Sequence, residues 1–163
     1  MNSDTLYGPP AATLALLLDD PEEHDFASTQ RLLNGLTAEQ AVTAPLGLPY
    51  SIAAILAHMN SNVQFNLDLI RSDNPLSFEN PYKNWPTVIA DEWPNLVRTF
   101  LDSIAELKRI AQRSSELERT LFPATDKDPA WTVGYKLAAS VAKHNAYHLG
   151  QIAVLRRLVD AQA

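Results

Sequence analysis

Apolar positions recur with the helical period along most of the chain, and no stretch alternates apolar and polar residues long enough to predict a sheet. Asp20-Pro21-Glu22-Glu23 combines a capping aspartate, a proline at the first helical position and a glutamate three residues after the cap. That pattern predicts a helix over residues 21–34 that stops at Gly35, preceded by a short extra helix over residues 11–18. Thr37-Ala38-Glu39-Gln40 repeats the capping pattern and predicts a brief helical turn before Pro45 and Pro49. Ser51 opens a long helix that reaches about Ser72, where Asp73-Asn74-Pro75 ends it. Residues 74–90 read as an irregular connection. Asp91, with Pro94 in the first turn, predicts a third long helix, a kinked start at Thr87 being the alternative. Residues 126–129 break the pattern again, and a final helix is expected from about Thr132 to Val159.

The buried-type faces of these helices differ in a way that matters for chemistry. The third carries Trp93, Val97, Phe100, Ile104, Leu107 and Ala111, apolar throughout, and so supplies wall. The second reads Ser51, Ile55, His58, Asn62, Phe65 and Leu69, and the last reads Leu137, Val141, His144, His148, Gln151, Leu155 and Leu158. Both place imidazole and carboxamide groups in the middle of an apolar stripe. Burying such a group without a partner costs on the order of 1–3 kcal/mol. Something inside the fold must therefore satisfy them.

Residues four apart lie on one helix face, so His144 and His148 can reach a single metal ion. If His58 faces them from the second helix, three neutral imidazoles and one open position make the ligand set of a catalytic metal site. Zinc and nickel both suit imidazole donors, and affinity order does not choose between them. With four histidines in the chain, a spacing of four also arises by chance, and hydrogen-bonded core histidines are the other reading. Gln151 and Asn62 each have two readings as well: they orient a ligand imidazole or the metal-bound water, or they plug the site. His24, among Glu22, Glu23 and Asp25, is given no role. Tyr147 is rotated away from the histidine face, toward helix packing or a dimer contact. Trp131 and Tyr135 fit the core better than a pocket mouth.

Four amphipathic helices with connected inner faces predict an all-α four-helix bundle with a short extra N-terminal helix, residues 1–163 forming one unit. The composition agrees: 46% hydrophobic and 20% charged residues are ordinary for a globular chain of 163. The net charge of -6 and the absence of any concentrated basic run argue against nucleic acid as a partner. There is no cysteine, which removes disulfides, thiolate nucleophiles and cysteine zinc sites. No Lys or Arg precedes Arg31 and the apolar stretch over residues 11–18 is too short to span a bilayer, so neither export nor a membrane association is expected and a cytoplasmic location is.

The segment His144-x-x-x-His148-x-Gly150-Gln151-Ile152, together with His58 in the helix that opens at Ser51, resembles the DinB/YfiT-like superfamily of metal-dependent enzymes. The resemblance spans the long helices and most of the chain. It implies a four-helix bundle in which His58, His144 and His148 bind a divalent metal, and it implies a homodimer. It further implies a small-molecule substrate, because relatives include S-transferases that use bacillithiol, mycothiol or glutathione and a mycothiol-dependent maleylpyruvate isomerase, while others carry a hydrolase label. Three functions follow as expectations: a thiol-dependent S-transferase acting on a small electrophile, a hydrolase using metal-bound water, and a non-catalytic metal or small-molecule binding protein of the stress response. No glutamate stands beside the histidines as it does in His-Glu-x-x-His proteases, so an obvious general base is missing.

Overall fold

The computed structural model describes residues 11–23, 26–74 and 85–161. Three short helices, α1 (Ala11–Leu18), α2 (Thr29–Leu33) and α3 (Ala38–Val42), lead into the long helix α4 (Ile52–Arg71). After the connection come α5 (Trp93–Ala111), the short α6 (Ser114–Leu117), the two small strands β1 (Thr120–Phe122) and β2 (Trp131–Thr132), and then α7 (Val133–Lys136). A π-helical segment, Leu137–Ala142, joins α7 without a break to α8 (Lys143–Asp160). The fold is all-α apart from the small antiparallel pair β1 and β2, which the periodicity does not predict and which is too short for alternation to register. Among the described residues no helix is long and apolar enough to cross a membrane.

Local signals account for most of these boundaries. Ser51 caps α4 by accepting from the Ala54 amide at 3.1 Å, and Thr132 caps α7 by accepting from the Tyr135 amide at 3.2 Å. Thr37 and Gln40 form the reciprocal capping box that their spacing predicts. The long helix after the connection starts later than Asp91: residues Ala90–Glu92 form a 3₁₀ turn, and Glu92 reaches back to accept from the Ile89 amide at 3.1 Å. Pro94 then lies inside the first turn of α5, where its missing donor costs nothing.

The expected helix over residues 21–34 is not formed as such. Asp20 accepts from the Glu22 amide, two residues on, which makes a tight turn, and Glu23 follows with a φ of 57°, outside the helical region. The Glu23 carboxylate instead accepts from the amide and hydroxyl of Ser28 and pairs with Arg31. Ser28 is the true cap, and only Thr29–Leu33 is helical, ending before Gly35, whose φ of 75° suits glycine. His24 lies outside the described residues.

The loss of that helix changes which element completes the bundle. Helix α4 packs between α5 and α8, and α1 closes the ring by packing on α5 and on the π-helical segment. The N-terminal helix is thus a bundle member, with Leu14 and Leu18 fully buried, while α2 and α3 sit at the periphery. Three side chains, those of Asp19, Lys108 and Arg156, hold this arrangement from outside the core. Asp19 accepts from the Thr29 amide and its carbonyl takes the Lys108 ammonium of α5, while Arg156 of α8 donates to the carbonyls of Leu32 and Asn34. The core proper centres on Phe100, Leu56, Met59, Leu107, Leu137 and Ile152, all with essentially no solvent exposure. Replacing Phe100 by alanine should therefore cost about 3–5 kcal/mol, read as a lower denaturant midpoint with an unchanged slope.

Candidate metal centre

The π-helical segment alters the face that α8 presents. Its fully buried line runs Asn145, His148, Ile152, Leu155 and Val159, whereas His144, Gln151 and Leu158 are only half-buried beside it. The expected stripe down the middle of the helix is therefore the margin of the apolar seam. This is favourable for chemistry, because a group at the margin can meet both core and solvent. On α4, by contrast, most residues are buried, His58 and Asn62 among them.

The two helices bring His58, His144 and His148 together, with one ring nitrogen from each lying within 4.8 Å of the others. Among the described residues no carboxylate joins this group. His58 Nε2 is 3.1 Å from His144 Nε2, and the His144 and His148 ring centroids are 4.5 Å apart. Burial pushes the His144 imidazole down from its ordinary 6.5 to about 4, and the neighbouring rings of His148 and His58 add to the effect. Burial likewise lowers His148, opposed by its bond to Gln151. His144 and His148 are therefore neutral near pH 7, which is the form that offers a lone pair to a metal ion.

The carboxamides set the ring orientations. His148 Nδ1 donates to Gln151 Oε1 at 2.7 Å, which leaves the Nε2 lone pair available. Asn62 is engaged differently: its Nδ2 donates to the Ser140 carbonyl at 2.7 Å and meets His144 Nδ1 at 3.2 Å, while its Oδ1 accepts from Asn66 Nδ2 at 3.1 Å. In this arrangement His144 Nδ1 accepts, so its proton resides on Nε2 and faces His58. Ligation through His144 Nε2 requires that proton to move to Nδ1 and the Asn62 oxygen to turn toward the ring. His148 is ready as it stands.

One feature of the site comes from a residue the helical pattern leaves in the irregular connection. Trp85 stacks on His58 with centroids 4.1 Å apart and planes 6° from parallel, and Tyr50 stacks on the opposite face of the indole at 3.9 Å. The Trp85 edge also approaches His148, at 5.9 Å. An aromatic roof of this kind excludes water from one side of the cluster. The Trp85-Pro86 dipeptide was its only trace in sequence, and nothing in helical spacing singles it out. Tyr147 is 66% exposed, as its rotation away from the histidines predicts, yet its ring edge lies against His148 and its hydroxyl accepts from Gln151 Nε2 at 3.4 Å. Trp131 and Tyr135 are half-buried and in contact with each other, away from the imidazoles.

The donor set fits a divalent ion: two ring nitrogens already stand close to the separation that shared tetrahedral ligation requires, and the third lies within reach. The depressed His144 also predicts a pH response of the metal-free protein. The unfolded chain takes up a proton near pH 6.5 that the folded chain refuses until about 4, so stability falls as pH drops through that window. Thermal melting of chelator-treated protein over that range should show the fall, and His144→Gln should flatten it.

A family model described as the DinB superfamily matches residues 23–152, a span that takes in all three histidines and both carboxamides. No curated protein and no solved structure matches the chain. With an all-α bundle and a three-histidine group that fits a metal-binding protein, the chain belongs to the DinB superfamily.

Proposed function

We propose that His58, His144 and His148 hold a divalent metal ion, zinc or nickel, and that the protein is a thiol-dependent S-transferase acting on a small electrophile. The observation that carries this reading is the ligand set: three imidazoles and no carboxylate among the described residues. Neutral ligands leave the full charge of the ion uncompensated, which is the condition under which it most strongly acidifies a bound thiol or water. The chain has no cysteine of its own, so the nucleophilic sulfur is that of a low-molecular-weight thiol.

The protein's own contribution is orientation and dryness. Gln151 keeps the His148 ring turned inward, Asn62 holds the His144 ring from its Nδ1 side, and Trp85, backed by Tyr50, covers His58. No carboxylate base is needed for a nucleophile that is already a thiolate. Hydrolysis by a metal-bound water uses the same ligands and is favoured by the same charge, but it gains more from a general base, which the group lacks. We further propose that the exposed Tyr147 and Val154 on the outer face of α8 contribute to a homodimer contact.

Protein purified without an affinity tag should carry about one divalent ion per chain, and His144→Ala should lose it. Gln151→Ala should keep the ion but bind it about 10–100-fold more weakly, measured by competition with a chromophoric chelator. A panel of small thiols with a chromogenic electrophile should show turnover that requires both thiol and metal. Metal-dependent ester or amide cleavage without thiol would instead identify a hydrolase, and bound metal with neither activity a binding protein.

A further inference from the structure

Away from the imidazoles, the loop between β1 and β2 borders an open hollow of about 420 Å³, within the size range of small-molecule sites. Its walls are mostly apolar, formed by Phe122, Pro123, Pro129 and Trp131, with Asp128 at the rim. Behind two of these walls lies Lys136, which is only 6% exposed. Its Nζ is 5.2 Å from the Trp131 ring centroid and 5.9 Å from that of Phe122, with Phe65 on the far side at 5.9 Å. The hydroxyl of Ser140, at 3.3 Å, is the hydrogen-bond acceptor it has, and no carboxylate pairs with it among the described residues.

A buried ammonium has three donors and ordinarily takes a counter-ion, because desolvation without one is costly. Three ring faces offset part of that cost but do not replace an anion. Burial accordingly lowers the Lys136 pKa, with no opposing charge to restore it. An apolar hollow backed by a cation that lacks an anion is complementary to one kind of molecule. We propose that the hollow binds a small monocarboxylic acid with an aromatic or short aliphatic body, its apolar part between Phe122, Trp131 and the two prolines and its carboxylate on Lys136. The flexible four-carbon stem lets the ammonium meet the carboxylate between the rings, and Asp128 at the rim repels the acid group from the mouth and so favours entry with the carboxylate innermost.

The site shares no residue with the imidazole group, to which it is joined through Ser140 and Asn62. Lys136 precedes His144 by about two helical turns, and Phe65 follows His58 by the same interval. Titration of the wild-type protein with 3-phenylpropionate and with hexanoate, followed by calorimetry and by the Trp131 indole N–H resonance, should give saturable binding that shifts that resonance. The corresponding neutral amides should bind about tenfold more weakly or worse. Lys136→Met should abolish the preference for acid over amide, and His144→Ala should leave it unchanged. Equal binding of acid and amide to the wild type, binding that leaves the Trp131 resonance unmoved, or acid binding lost in His144→Ala and kept in Lys136→Met would each overturn the proposal. The acid and amide comparison is made on the unaltered chain, so it stands even if Lys136→Met fails to fold.

Discussion

Three imidazoles pressed together at the edge of an apolar bundle are the constraint around which the rest of this protein is arranged. Protonating His144 would place a charge in a half-buried position beside two other rings, and its depression to about 4 measures how strongly the fold resists that. Neutral rings still need partners, and the polar residues interrupting α4 and α8 are those partners. Asn62 reaches His144 and the Ser140 carbonyl, Asn66 supports Asn62, and Gln151 supports His148. Without the imidazoles Asn62 would keep only the Ser140 carbonyl and Asn66, and Gln151 only the Tyr147 hydroxyl.

The π-helical segment belongs to the same arrangement. A wider turn rotates everything after it relative to what comes before, so α7 can bury Val133 and Lys136 while α8 still brings His148 into the seam and His144 to its margin. Segments of this kind are often found beside functional sites, and here the Ser140 carbonyl within it serves as the acceptor for Asn62. The peripheral bonds of Asp19 and Arg156 hold the short N-terminal elements against α5 and α8, which leaves α1 free to fill the fourth place in the bundle.

The chemistry follows from what the cluster lacks as much as from what it holds. A carboxylate in the group would lower the effective charge of a bound ion and provide a base; an all-imidazole group does neither. On the proposed reading, an ion held by such a centre would acidify what binds to it but do little to relay protons, which would favour a substrate that is itself a good nucleophile once ionised. The second polar feature, Lys136 among Phe65, Phe122 and Trp131, has the opposite electrostatics, a buried ammonium with no carboxylate beside it among the described residues.

Period and capping chemistry determined the helical class, the span of α4 and its Ser51 cap, the apolar face of α5, the Thr37 capping box and the order of His58 and Asn62 along α4 and of His144, His148 and Gln151 along α8. These are local properties, decided within one or two turns of chain, and they survive tertiary packing. Tertiary structure alone decided the rest. Asp20-Pro21-Glu22-Glu23 carries every local mark of a helix start, yet Glu23 gains more from Ser28 and Arg31 than from continuing a helix, and α1 takes the vacant place in the bundle. The π-helical segment leaves no signature in hydrophobic spacing, so the true seam of α8 was displaced from the one that regular steps trace. Trp85 meets His58 only because the residues just before α5 lie against α4, and Lys136 loses its water only because β1, β2 and α4 close around it. Contacts between residues far apart in the chain are set by the packing of whole elements, which no single stretch of sequence contains.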